Sequence, residues 1–264
     1  MSEKSSKINY LKWKIESGQN EDLAESPKNR FSSHVNSSEN QQTSIVKTTI
    51  PQTESTSPFV QSASESAKVA KTISELRTAL ENFDGCSLKN TAMNLVFGDG
   101  NKNADVMLIG EAPGADEDRD GKPFAGLSGQ LLDKMIRSIG LERQNIYIAN
   151  IIPWRPPGNR QPTPSEIAIC LPFIKRHIEL VDPKLLILVG GTSAKTLLEK
   201  KEGILRLRGR WFDYQTNKDK ISIPALPIFH PAFLLHSPSQ KSNAWRDLIS
   251  VKKKLLNLGV TLLN

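Results

Sequence analysis

The chain is poor in cysteine, with Cys86 and Cys170 the only two in 264 residues. Two thiols exclude a disulfide-stapled scaffold and, by themselves, a four-cysteine metal site, and they fit a reducing compartment. Long apolar runs are also missing. No stretch reaches the ~20 residues of a membrane-spanning helix, and the N-terminus has no apolar core of a secretory signal. Neither G-x-G-x-x-G nor G-x-x-x-x-G-K-[ST] is present, so the common glycine-rich phosphate cradles are excluded. Acidic residues are in deficit: 28 Asp and Glu face 35 Lys and Arg, a net charge of +7. That balance suits a polyanionic partner, although a merely basic soluble protein would read the same way.

The first 70 residues are short of apolar side chains as well. The stretch "SSHVNSSENQQTSIVKTTIPQTESTSPFVQSASESAK" buries too little surface to offset its ordering entropy and reads as a disordered linker. Ahead of it, residues 8–18 form either a short amphipathic docking helix or no element at all. Residues 71–264 are enough for one well-buried core. Within them, "SAKVAKTISELRTALENF" has helical spacing, with Val69, Ile73, Leu76 and Leu80 on one face. Strands and helices then alternate. "DVMLIG", "NIYIANI", "KLLILVGG" and "SIPALPIFHP" read as four strands, the prolines of the last suggesting an edge or an early exit from the sheet. Ser128 is a candidate cap for the helix after the first strand. Thr163, Pro164 and Glu166 spell out a capping box for the helix after the second. This alternation means a parallel sheet covered on both faces, with ligands bound beyond the carboxyl ends of its strands.

Those strand ends hold the chemistry. After the first comes "GEAPGADEDRDGKPFAG", where Glu111, Asp116, Glu117 and Asp118 surround Phe124. A solvated acidic loop is the plain reading, but a phenylalanine flanked by glycines is poor surface composition. Asn150 ends the second strand and His230 follows the fourth, and a buried amide must find a partner for both its donor and its acceptor. A carboxylate, an aromatic face, an amide and an imidazole at one sheet edge make a kit for holding a flat heterocyclic base.

Three segments, "GEAPGADEDRDGKPFAGLSGQLLDKM", "YIANIIPWRPPGNRQPT" and "HPAFLL", resemble in order and spacing the motifs of family-4 uracil-DNA glycosylases. The resemblance runs from about Phe83 to the C-terminus. It implies a three-layer α/β/α sandwich with a central, mainly parallel four-stranded sheet, which flips uracil out of DNA and hydrolyses its N-glycosidic bond. It implies further that Phe124 stacks on uracil, Asn150 pairs with its edge, and backbone groups of Glu111 and Ala112 line the pocket. His230 would face uracil O2, and Glu117 would position water or stabilise the sugar cation. Phe233, Leu234 and Leu235 would push into the duplex. Arg155, Arg160, Arg208, Arg210, Lys241 and Lys252 are the candidates for phosphate contacts.

The chain departs from the family at the iron–sulfur cluster. The first cysteine's place is taken by Phe83 in "FDGC", and the third's by Trp154, while Cys86 and Cys170 remain. Neither Phe nor Trp ligates iron, so the expectation is no cofactor, with the two aromatics packing the space. The remaining expectations are a bacterial, cytoplasmic, nucleoid-associated monomer without membrane contact, acting on uracil-containing DNA, with a protein partner reached through the tail. The alternatives are a glycosylase for another deaminated base, or a non-catalytic DNA-binding protein of the same fold.

Overall fold

The computed structural model describes residues 58–216 and 222–263; the segment 8–18 and the rest of the tail to residue 57 lie outside the described residues. Six strands form one sheet. They are β1 (Asp99–Gly100), β2 (Val106–Gly110), β3 (Tyr147–Asn150), β4 (Leu185–Val189), β5 (Phe212–Gln215) and β6 (Ser222–Ile228), in the spatial order β1-β3-β2-β4-β6-β5. The inner four, β3, β2, β4 and β6, are parallel, as the apolar runs predict. β1 and β5 add antiparallel edges. Neither carries an apolar run: β1 has two residues, and Tyr214 is the one buried side chain of β5. β6 is thus an inner strand, against the expectation from its prolines. A proline loses its donor but keeps its carbonyl, and Pro227 O accepts from Gly209 N–H at 3.0 Å.

The helices are α1 (Pro58–Val69), α2 (Ile73–Glu81), α3 (Ala115–Asp120), α4 (Leu127–Arg137), α5 (Pro164–Val181), α6 (Gly191–Leu198), α7 (Ile204–Leu207), α8 (Pro231–His236) and α9 (Lys241–Asn257). Alternate strand residues point to opposite faces, which gives the sheet two cores. Met107, Ile109, Ala149, Leu186 and Leu188 pack with α1, α2, α5 and α6 on one face. Val106, Leu108, Ile148, Leu185 and Ile187 pack with α4, α8 and α9 on the other. This is the expected three-layer sandwich.

Local chemistry sets the helix ends. Thr163 Oγ1 accepts from Glu166 N–H at 3.2 Å and Glu166 Oε2 accepts from Thr163 N–H at 2.7 Å, with Pro164 at the first helical position, so the capping box of α5 forms. α4 starts one residue before Ser128 with Gly126 as its cap. Ser128 is released to line a cavity instead.

The helical pattern over residues 66–83 breaks into two helices. Thr72 caps α2 by accepting from Glu75 N–H at 3.1 Å, and Val69 is 75% exposed, outside the core. α1 corrects both the linker reading of residues 58–69 and the boundary at residue 70. Its Ala63 and Ala67 are buried, and the helix packs along α5. Alanine and serine register as low-apolar composition, yet alanine is the best helix former and small enough for close helix contact.

Candidate active site

The four parallel strands end at one edge of the sheet, and the register sets Gly110 of β2 directly beside Asn150 of β3. A Cβ on Gly110 would lie 2.4 Å from Asn150 Oδ1 and 2.9 Å from the Phe124 ring. Glycine is therefore required for both side chains to close over the end of β2. Glu111, Ala112, Glu117, Phe124, Asn150 and His230 line one cavity of about 410 Å³, with Ser128 and Arg160 also in its wall. Residues from four separate segments, more than a hundred positions apart at the extremes, meet there.

Asn150 is 6% exposed, and its amide has no hydrogen bond among the described residues; its polar atoms face the cavity. An amide so placed offers one acceptor and two donors to whatever enters. Phe124 has φ 53°, a left-handed backbone unusual for a bulky residue. Its ring stacks on His230 at 5.5 Å between centroids, 27° from coplanar.

Arg143 holds this strained turn. Its guanidinium donates to Pro123 O at 3.1 Å and to Phe124 O, and it is itself anchored by Asp99 at 3.1 Å and Asp133 at 2.8 Å. Gly129 keeps that carbonyl clear, since a Cβ there would overlap Phe124 O.

Glu117 is fixed by the backbone. Oε2 accepts from Gly114 N–H at 3.0 Å and Oε1 from Gly126 N–H at 3.3 Å, leaving lone pairs on both oxygens. His230 Nδ1 accepts from Ala232 N–H at 3.2 Å, which places the proton of the neutral ring on Nε2. Burial lowers its pKa to about 4, with Glu117 pulling the other way, so the ring is a neutral donor near pH 7. Glu111 accepts from Thr192 Oγ1 on the first turn of α6.

The residues expected to meet DNA divide. Phe233 and Leu235 are exposed on α8, and Lys241 is exposed at the start of α9. Leu234 is 1% exposed and belongs to the core, which corrects its expected insertion into the duplex. With Pro231 three positions earlier it forms the inward face of α8, since residues three apart share a helix face. Arg155 is turned inward too. It donates to Asn159 at 2.7 Å and stands 3.9 Å from the buried carboxylate of Asp118. Arg160 makes a two-pronged pair with Glu166, at 2.7 and 2.9 Å, and Arg208 is paired with buried Asp247.

Sequence reading missed Arg143, Thr192 and the structural role of Asp118. Each acts through a fold contact rather than a motif: Asp118 Oδ1, for instance, accepts from Met93 N–H at 2.8 Å and Asn94 N–H at 3.1 Å. For Thr192 a signal existed, because it opens the segment after a strand end.

The four residues expected at the cluster positions, Phe83, Cys86, Trp154 and Cys170, share one core and offer two thiols, too few for a four-cysteine site. Cys86 and Cys170 are buried with their sulfurs 3.9 Å apart. Phe83 and Trp154 are buried in the same core, Phe83 meeting Phe173 edge to face at 5.1 Å. Among the described residues, no group of three or more His, Cys, Asp or Glu could hold a metal ion. The hydrogen bond to Cys86 raises the pKa of the Cys170 thiol, and burial acts in the same direction.

An α/β/α sandwich with a base-sized aromatic and amide pocket at its strand ends defines a class, and comparison with known proteins makes it specific. The family model of the uracil DNA glycosylase superfamily matches residues 97–249. The chain is 38% identical over 184 residues to a type-4 uracil-DNA glycosylase of Saccharolobus solfataricus, covering 68% of this chain and 84% of that one. It is 37% identical over 165 residues to one of Thermotoga maritima, covering 62% and 82%. With one of Pyrobaculum aerophilum the figures are 34% over 180 residues, 67% and 91%. The chain belongs to the uracil DNA glycosylase superfamily and, within it, to the type-4 uracil-DNA glycosylases.

Proposed function

We propose that the chain is a monofunctional uracil-DNA glycosylase that flips deoxyuridine from DNA, hydrolyses its N-glycosidic bond and so initiates base excision repair. The observation that carries this is the amide of Asn150, which makes no hydrogen bond among the described residues and opens on a cavity beside the ring of Phe124. Uracil presents a carbonyl and an N–H side by side, which one amide satisfies together, and the ring supplies a stacking face.

Breaking the bond leaves positive charge on the deoxyribose and negative charge on the departing uracil. Glu117 answers the first: its two backbone contacts hold the carboxylate still, to steady the cation and orient a water toward C1′. His230 answers the second with its Nε2–H, as a neutral donor that transfers no proton. Water adds to C1′ as uracil leaves with the bonding pair; the water's proton passes to the carboxylate or to solvent.

The test is uracil release from single- and double-stranded oligonucleotides. Glu117→Ala and His230→Ala should each lose about 10²–10³ in kcat. A wild-type protein that binds DNA and frees no base would sink the enzyme reading. Faster release of hypoxanthine than of uracil would transfer the assignment to another deaminated base.

We infer further that the enzyme works without an iron–sulfur cluster, supported by the buried Phe83 and Trp154 at two ligand positions. Fresh protein should be colourless and low in iron; several irons per chain would overturn this. A monomeric state, for light scattering to check, and a cytoplasmic location at the nucleoid complete the reading. A partner contact through the N-terminal tail is proposed on its composition alone.

A further inference from the structure

We propose that α9 carries a second DNA-contact surface, a stripe of Lys241, Trp245 and Lys252 that holds single-stranded DNA leading away from the flipped nucleotide. The proposal rests on the glycosylase reading and deepens it by naming the form of the substrate.

Ala244, Leu248, Val251 and Leu255 form the inward face of α9. At 3.6 residues per turn, Lys241, Trp245, Ile249, Lys252 and Leu256 fall along one flank of that face. The opposite flank is occupied: Trp211 donates to Ser250 at 3.0 Å, and Lys254 stands 5.5 Å over the Trp211 ring. The stripe flank is open, with Trp245 48% exposed. The helix holds five cations and one acid, and that acid, the buried Asp247, is used by Arg208 at 2.9 Å. Among the described residues, none of Lys241, Arg246, Lys252 and Lys253 has an ion-pair partner. The flank is therefore cationic and aromatic, which complements a nucleic acid strand.

Its place relative to the cavity is set by Arg208. The guanidinium donates to Asn243 O at 2.6 Å and lies 5.0 Å over the ring of Phe229, the residue before His230. Phe229 packs on Phe233 at 4.9 Å. The flank of α9 opposite the stripe is thus fastened behind Phe229, and only residues 237–240 separate Lys241 from the end of α8, so the helix that carries the stripe starts next to α8 along the chain. From Lys241 to Lys252 the helix rises about 16 Å, long enough to follow several nucleotides of one strand. A tryptophan between cations needs an exposed base face, which an unpaired strand offers and a duplex interior does not.

The test uses the full chain and a fluorescent single-stranded 20-mer without uracil, read by anisotropy. Trp245→Ala should weaken binding about ten-fold. Lys252→Ala should lower the slope of log K against log salt by about 0.7, while Lys184→Ala, at the far end of the sheet, should leave it unchanged. Binding by Trp245→Ala equal to wild type overturns the proposal. So does a wild-type dimer that Trp245→Ala dissociates, since the stripe would then be a subunit interface. Uracil release on the same preparations separates the two readings: a wild type that frees no uracil fails as a glycosylase, whatever the anisotropy shows.

Discussion

His230 illustrates how one contact decides a residue's chemistry. Accepting from Ala232 N–H commits Nδ1, and burial holds the ring neutral to about pH 4, below the ordinary histidine value of about 6.5. Because the folded pKa is depressed, the unfolded chain takes up the proton first. The stability this group contributes is complete above about pH 6.5 and is lost as pH falls through about 4. No limb from His230 is therefore expected in kcat between pH 5 and 8. A limb near pH 6.5 that disappears in His230→Gln would show that the imidazolium forms instead. Arg143 acts at the same scale through Phe124. Left-handed backbone at a bulky residue costs about 1–2 kcal/mol, and Arg143 holds the carbonyl that defines it. Arg143→Ala should raise KM about ten-fold with a smaller change in kcat, because stacking binds ground and transition states alike. Steady-state kinetics on one oligonucleotide decides this.

At the scale of the element, the segment from Asn150 to Thr163 is held at three points by side chains of the chain itself. Trp154 is buried in the core, Arg155 reaches Asp118 behind α3, and Arg160 closes on Glu166 at the start of α5. Trp154→Ala should cost about 3–5 kcal/mol by denaturant unfolding, the range for a buried aromatic. A chelator should leave the wild-type midpoint unchanged. The Arg160 guanidinium beside Glu166 lowers that carboxyl to about 2. The pair's stabilisation is accordingly present above about pH 4.5 and lost as pH falls toward 2. Arg160→Ala should remove that acid dependence, as melting from pH 5 to pH 2 would reveal. The capping box was legible in the sequence because a cap depends on residues three apart. The arginine contacts were not, because Asp118 and Arg155 meet through the packing of α3 under the loop.

Across the whole molecule, α1 covers part of one core through Ala63 and Ala67. Ala63→Asp should lower the melting temperature by burying a charge against α5, while uracil release at low temperature persists, since α1 does not line the cavity. The inner strands, the helices between them and the edge of the sheet that bears chemistry follow from the sequence alone. Apolar period and caps are local properties, and parallel strands joined by helices place their ends together. The cavity residues Asn150 and His230 could be named from it for the same reason, standing at or just past a strand end, and Glu117 and Phe124 from the motif that follows β2. The sequence also determined that the chain has only two cysteines, Cys86 and Cys170. Tertiary structure alone decided which arginines are spent on internal carboxylates, that Leu234 turns inward between two exposed neighbours, and that β5 closes the sheet beyond β6. Those outcomes depend on which side chains meet across long stretches of chain. Neither charge nor hydropathy read along the sequence records such meetings.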